Sequence, residues 1–208
     1  GLRLVEQLRF ARTPTHKMYT NGYIAPSWTP PSLTPPAHKL NLASLPTPIH
    51  SWNLKNAPDT TELFIKRDDA TGPPELAGNK LRKLEFLLAD ALHAGCDSVI
   101  TVGGIQSNHC RATAAAARRV GLVPHIILRT SEPTDADPGL VGNLMVDRLV
   151  GAKIHLVSDA EFARKGGWKL CCELRDDLED AGSKPYAFPS GGSNSLGSWG
   201  YTHAVDEI

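Results

Sequence analysis

Leu81, Leu84, Leu87, Leu88, Ala91 and Leu92 recur at intervals of three and four residues, which places them on one face of an α-helix that Gly95 ends. Upstream, Leu63-Phe64-Ile65 is a short β-prone run that stops at the polar Lys66-Arg67-Asp68-Asp69, and residues 71–77, with Pro73-Pro74 inside, read as a loop. Downstream, Ser98-Val99-Ile100-Thr101-Val102 reads as a buried strand, and Gly103-Gly104 as a turn. A helix follows, alanine-rich from Ala112 to Ala117 and ended by Gly121. A strand at His125-Ile126-Ile127-Leu128 comes next, then a helix from about Leu140 to Val150 ended by Gly151, and a strand at Lys153-Ile154-His155-Leu156-Val157. Ser158 and Glu161 have capping-box spacing for the next helix, which Gly166-Gly167 breaks or bends before it resumes through Leu178 to Gly182. Tyr186-Ala187-Phe188 is a last strand before Gly191-Gly192.

Strands alternating with helices at short spacing predict an α/β fold, a mainly parallel sheet with helices on its faces. Ligands of such sheets bind beyond the carboxyl ends of the strands, here the loops after Val102 and Phe188. The two loops repeat one device, a strand, two glycines and then small polar residues opening a helix: Gly103-Gly104-Ile105-Gln106-Ser107-Asn108 and Gly191-Gly192-Ser193-Asn194.

The first 50 residues follow a different logic. Eight of the 16 prolines lie between Pro14 and Pro48, which rules out a long helix or a central strand there. The expectation is an extended arm on a surface or a partner subunit, with a disordered tail as the alternative. The 22 basic and 22 acidic residues balance, which argues against a general nucleic-acid binder. No apolar run approaches the roughly 20 residues that a membrane span needs, so no membrane insertion is expected. Cys96, Cys110, Cys171 and Cys172 lack zinc-ligand spacing, and no histidines pair at i, i+4, so no metal is expected. The cysteines are expected to be reduced thiols. The chain begins with Gly1 rather than Met and is expected to be processed, trimmed or engineered; a removed targeting peptide would leave no trace.

Two places have the chemistry of a site. At the Gly103-Gly104 turn, helix-start N–H groups lack partners and the helix dipole adds positive potential, so Ser107, Asn108 and His109 are placed to hold an anion; a turn that binds nothing is the alternative. Lys80 opens the Leu81 helix after Gly78-Asn79, where a cation opposes the dipole. That position suits a lysine whose charge is suppressed or whose amine is bound covalently, against the alternative of a solvated surface lysine. Arg82 and Lys83 are expected to be solvated, or to cover the apolar face with their stems. Trp52, Trp168 and Trp199 are expected in the core or at interfaces, and His93, His125 and His155 as structural histidines.

The block Ala77-Gly78-Asn79-Lys80-Leu81-Arg82-Lys83-Leu84-Glu85 resembles the cofactor-lysine motif of the D-cysteine desulfhydrase and 1-aminocyclopropane-1-carboxylate (ACC) deaminase family. Gly103-Gly104-Ile105-Gln106-Ser107-Asn108-His109-Cys110-Arg111 resembles its substrate loop, and Gly191-Gly192-Ser193-Asn194-Ser195-Leu196-Gly197 a third block. The similarity runs from about Tyr23 to Ile208 and is to the plant-type desulfhydrases in particular.

The resemblance implies a two-lobed type II fold of pyridoxal-5'-phosphate (PLP) enzymes, like the tryptophan synthase β chain. It would have a proline-rich arm over residues 1–50, the first part of a large lobe over 51–79, a small α/β lobe over 80–190 and a return into the large lobe over 191–208. It implies PLP bound covalently by Lys80, with Asn108 and Asn79 beside the cofactor, and a small amino-acid substrate. Ser107, Asn108, His109, Gly191, Gly192, Ser193 and Asn194 would line the substrate side, with Ser107 also handling a proton. The reaction implied is α,β-elimination of D-cysteine to pyruvate, ammonia and hydrogen sulfide. ACC deamination, or a degenerate structural subunit of a larger assembly, are the alternatives. A homodimer or larger assembly in a mitochondrial or other organelle matrix is implied, with the cytoplasm as alternative. One departure stands out: the family's Gly-Ser-Gly-Gly-Thr phosphate loop does not occur before Ile208, and the expectation is of a large lobe left incomplete. On that expectation the chain alone would hold PLP weakly and show no sustained turnover.

Overall fold

A computed structural model describes residues 19–58, 60–131 and 137–208. Two short antiparallel pairs come first: β1 (Tyr19–Asn21) with β2 (His38–Leu40), and β3 (Ile49–Ser51) with β4 (Phe64–Lys66). After a single 3₁₀ turn at Asp68–Ala70 the alternation predicted from the sequence begins: α1 (Lys80–His93), β5 (Ser98–Gly104), α2 (Asn108–Arg119), β6 (Val123–Thr130), α3 (Gly142–Leu149), β7 (Lys153–Ser158), α4 (Asp159–Lys165), α5 (Gly167–Asp180), β8 (Pro185–Ala187) and α6 (Ser195–Asp206).

Strands β5 to β8 form one parallel sheet in the order β7-β6-β5-β8. Alternate residues of each strand face opposite sides, and both sides are covered, as a parallel sheet requires. Val99 packs with Leu84, Leu87, Leu88 and the alanines of α2, while Ile126 and Leu128 meet Ala114 and Leu144. On the other face Ile100, Val102 and Ile127 meet Leu170 and Cys171 of α5. The glycine break falls where expected: Gly166, at φ +80°, separates α4 from α5. Ser158 Oγ accepts from Glu161 N at 3.1 Å and caps α4.

The arm expected over residues 1–50 is corrected in part. Residues 1–18 lie outside the described residues, but Leu40 and Leu42 belong to the core with α1 and α2. Glu85 of α1 fixes this crossing: it accepts from the backbone N–H groups of Leu42 and Ala43 and pairs with Lys39 at 3.0 Å. Proline excludes the stretch from a central strand, not from the core.

Arg82 and Lys83 are not solvated. Arg82, 1% exposed, pairs with Asp68 at 2.8 Å and with Glu207 at 2.7 Å, and joins the 3₁₀ turn, α1 and α6. Burial would lower its pKa, but the bonds to Glu207 and Asp68 raise it. Glu207 also takes Lys66 at 2.7 Å; burial would raise its carboxyl, yet these partners hold it at about 2. Trp199 is buried as expected, whereas Trp52 and Trp168 are half exposed and stand outside the core. His125 and His155 stack and share a hydrogen bond of 3.1 Å, and all four cysteines are free.

Candidate functional site

Lys80 begins α1 at the end of a constrained turn. Thr71, fully buried, clamps Gly78 from both sides: its Oγ1 donates to Gly78 O and accepts from Gly78 N, each at 3.0 Å. Gly78 has φ +122°, a conformation open to glycine and strained for other residues. One residue earlier, Arg111 of α2 donates to Ala77 O at 2.7 Å. The turn is thus tied to the core on one side and to the second loop on the other. Lys80 itself is half-buried, and among the described residues its Nζ has no hydrogen-bond or ion-pair partner.

The second loop leaves the carboxyl end of β5. A Cβ on Gly103 would stand 2.7 Å from both Ser107 Oγ and Cys110 Sγ, so only glycine permits this return of the chain. Ser107 is the N-cap of α2, its Oγ accepting from Cys110 N at 3.2 Å. The cap uses a lone pair, which leaves the hydroxyl proton free to donate. The N–H groups of Asn108 and His109, in the first turn of α2, have no partner within the helix. Asn108 is exposed, and its Oδ1 accepts from Asn143 Nδ2 at 2.9 Å. The same Asn143 amide donates to Gln106 O at 2.8 Å, so α3 braces the loop.

His109 turns inward and is 4% exposed. Its Nε2 lies 2.9 Å from Thr101 Oγ1, which also reaches Phe188 O at 3.2 Å. A carbonyl only accepts, so the Thr101 hydroxyl donates to Phe188 O and His109 Nε2 must be the donor to Thr101. The ring is therefore the Nε2–H tautomer, and Nδ1 is a buried acceptor without a partner among the described residues. Burial, Lys80 and Lys83 push its pKa down to about 3, so His109 is neutral.

The third turn, Ser190–Gly192, closes over these groups. Gly191 and Gly192 have φ +69° and +58°; a Cβ on Gly191 would lie 3.9 Å from Lys80 Cε, and one on Gly192 3.6 Å from His109 Cε1. Lys83, 8% exposed, donates to Ser193 Oγ at 3.0 Å and sits over the Tyr201 ring at 5.3 Å. The Tyr201 hydroxyl also takes a hydrogen bond from Asn79 Nδ2. Asn194 caps α6, its Oδ1 accepting from Gly197 N at 2.8 Å. Asn79, Lys80, His109, Gly191, Gly192 and Ser193 thus gather around one place, while Ser107 and Asn108 join it through His109.

The electrostatics are lopsided. Burial and the charge of Lys80 push the Lys83 ammonium below its ordinary pKa, and no carboxylate pairs with either lysine among the described residues. Two neighbouring cations, free first-turn N–H groups and a hydroxyl proton suit an anionic ligand. No group of three or more His, Cys, Asp or Glu among the described residues is placed to hold a metal ion. Sequence reasoning missed Lys83, Tyr201 and Asn143. Lys83 follows Lys80 by three residues and shares its helix face, a signal available from spacing alone; Asn143 had no such signal.

The pattern of the pyridoxal-phosphate dependent enzyme family matches residues 40–208. The chain is 57% identical over 187 residues to the mitochondrial bifunctional D-cysteine desulfhydrase/1-aminocyclopropane-1-carboxylate deaminase of Arabidopsis thaliana, covering 89% of this chain and 46% of that protein. It is 41% identical over 171 residues to the D-cysteine desulfhydrase of Klebsiella pneumoniae, covering 82% of this chain and 51% of that one. The chain spans about half the length of the curated relatives it matches. Among solved structures, an ACC deaminase homologue superposes with a TM-score of 0.67 at 37% identity, over 82% of this chain and 50% of that one. No helix among the described residues is long and apolar enough to cross a membrane.

Proposed function

The chain belongs to the pyridoxal-phosphate dependent enzyme family, and from that premise we propose that it carries the lysine and the substrate loop of a D-cysteine desulfhydrase. The observation that carries this reading is the pair of cations, half-buried Lys80 and buried Lys83, unneutralised by any described carboxylate and facing the Ser190–Gly192 turn.

These residues fit the cofactor. Lys80 Nζ is free to bind its aldehyde carbon covalently, and Lys83 offers charge to an anionic group. Asn79 and Asn108 offer polar contacts, and Gly191 leaves room beside Lys80 that a side chain would fill. When bound, the cofactor supplies an electron sink for the pair left at the substrate Cα.

The remaining work falls to the chain itself. The N–H groups of Asn108 and His109 and the Ser107 hydroxyl receive the substrate carboxylate. His109 stays neutral, its ring held by Thr101, and serves the carboxylate through its backbone N–H. Gly192, Ser193 and Asn194 wall the substrate side, with Ser193 held by Lys83. Lys80 takes the proton from Cα. The sulfide then leaves Cβ, and hydrolysis yields pyruvate and ammonia. The Arabidopsis relative's name joins this activity to ACC deamination, which makes ring opening of ACC the second reading.

The small lobe is proposed over residues 80–190. Exposed Phe64, Ile49 and Trp52 on the β3–β4 hairpin support association into a homodimer or larger assembly. A mitochondrial or other organelle matrix is the proposed compartment, supported by the name of the Arabidopsis relative.

The test is to take a full-length form that supplies the phosphate loop, incubate it with PLP, reduce with borohydride and map the peptides, then compare sulfide release from D-cysteine with ammonia release from ACC. Label on Lys80 and faster sulfide release are expected. Label on another lysine overturns the cofactor assignment, and a preference for ACC reverses the two reactions.

A further inference from the structure

Asn143, half-buried in the first turn of α3, meets the loop that carries Ser107 and Asn108, and four hydrogen bonds join the two. Asn143 N donates to Gln106 Oε1 at 2.9 Å, and Asn143 Nδ2 donates to Gln106 O at 2.8 Å and to Asn108 Oδ1 at 2.9 Å. Gln106 Nε2 donates to Val141 O at 3.3 Å. Val141, at the N-cap of α3, supplies no side-chain cap, so the Gln106 amide satisfies a first-turn N–H of α3 from another element. The fit is close: Gly142 has φ +47°, and a Cβ there would collide with Gln106 Oε1.

This network fixes which way each amide faces. A backbone carbonyl only accepts, so the Asn143 group on Gln106 O is the NH2. Turned over, Asn143 would set its own oxygen against that carbonyl. Its second proton goes to Asn108, so the Asn108 atom at that contact is the acceptor Oδ1. Both protons of the Asn143 amide are thereby used. The Asn108 NH2 is the end left over, without a partner among the described residues. An unheld asparagine at a helix start can turn either its oxygen or its NH2 to a ligand; here the choice is made before a ligand arrives.

We propose that Asn143 is a positioning residue that sets the ligand preference of Asn108: by holding Oδ1 it makes the Asn108 side chain a donor, so that it takes an anionic oxygen. The inference rests on the proposed reading of this loop and names the residue that gives Asn108 its polarity. The first-turn N–H groups of Asn108 and His109 and the Ser107 hydroxyl are donors as well. With the Asn108 amide locked, all of these groups present hydrogen. The proposed ligands bring two oxygens of the required kind, one on the cofactor ring and one on the substrate carboxylate.

The test uses a full-length form that supplies the phosphate loop. PLP would be titrated into the apoprotein by cofactor absorbance, and D-alanine, which has the carboxylate but no leaving group on Cβ, into the loaded protein. Each dissociation constant would be measured for the parent, Asn143→Leu, Asn108→Ala and the double variant. Asn143→Leu preserves the side-chain size and the backbone bond to Gln106 Oε1 but loses both amide protons. We expect it to weaken at least one of the two ligands by about threefold to tenfold. A loss confined to PLP assigns Asn108 to the ring oxygen, and a loss confined to D-alanine assigns it to the carboxylate.

In the Asn108→Ala background the same substitution should cost nothing further, because its effect passes through Asn108. A mere brace behaves otherwise, since loss of the bond to Gln106 O would weaken binding in both backgrounds. Asn143→Ala carries the same cycle if the unfolding midpoint of Asn143→Leu collapses. Losses that add in the double variant, or affinities unchanged by Asn143→Leu or by Asn108→Ala, overturn the inference alone. A parent that binds neither ligand, or that borohydride trapping labels on a lysine other than Lys80, overturns the proposed function, and this inference falls with it.

Discussion

Gly200 of α6 rests on the backbone of Arg82 in α1: a Cβ at that position would stand 2.5 Å from the Arg82 carbonyl carbon and oxygen. The approach lets Tyr201 reach Asn79 and Lys83, so the proximity of two helices decides where a site side chain lies.

Gly200→Ala is expected to destabilise the protein by about 1–3 kcal/mol despite the better helix propensity of alanine, because the obstacle is backbone and cannot rotate away. Denaturant unfolding measures it. Unchanged stability would mean that α1 and α6 separate freely.

Arg82→Met removes one member of a buried ionic cluster and leaves Asp68 and Glu207 facing each other. A loss of about 3–5 kcal/mol is expected at neutral pH. The sign with pH follows from Glu207, whose carboxyl is held at about 2 in the folded protein. Its contribution is present above the unfolded value near 4.3 and is lost as pH falls toward 2. The parent should therefore lose stability over that acid window, while the variant changes less across it; unfolding midpoints at several pH values check both.

Ser107→Ala removes a helix cap as well as a hydroxyl, so about 1 kcal/mol of stability is expected to go with it. Turnover should fall further than PLP retention does, since the hydroxyl is assigned to the substrate. Parallel loss of both, read from labelling and sulfide release, would count against that division.

Lys83→Gln takes away one of two neighbouring cations. Weaker PLP retention, by about tenfold, is expected, with Lys80 still the labelled residue. Equal retention would remove Lys83 from the cofactor side and leave it as a support for Ser193.

Asp147 of α3 is fully buried, and Asp147→Asn has a consequence for stability. Burial pushes the folded carboxyl up to about 7, above its unfolded value, so the native state binds the extra proton and stability declines as pH rises from about 4 to about 7. The variant lacks this decline and should gain on the parent across that range, as thermal unfolding at several pH values would show.

The alternating elements were legible because local signals agree with the tertiary result. Leucine spacing located α1, glycines ended α1, α2 and α3, and β-branched runs marked β5 and β6. The lysine proposed to hold the cofactor was singled out through the block around Gly78-Asn79-Lys80, and the proposed substrate loop through its two glycines. Other features were not, because they depend on which surface the next element covers. Arg82 and Lys83 look like solvent-facing charges on an amphipathic helix until α6, more than 100 residues later, packs on that side. Asp147 resembles any acid on a short helix, and its burial comes from α2 crossing over it. Leu40 and Leu42 were obscured by the prolines around them, which report on backbone conformation and not on depth.

The strand order β7-β6-β5-β8 has one more consequence. The sheet grows from β5 outward through β6 to β7, then the chain crosses back and adds β8 on the opposite flank of β5. Growth reverses once, and the reversal lies between β5 and β8. The segments leaving these two neighbours, one into α2 and the other through the glycine turn into α6, meet at that reversal, where a Cβ on Gly192 would lie 3.6 Å from His109 Cε1. Their meeting place belongs to the winding of the chain. Substitution can change which side chains stand there, but moving it would require rethreading the sheet.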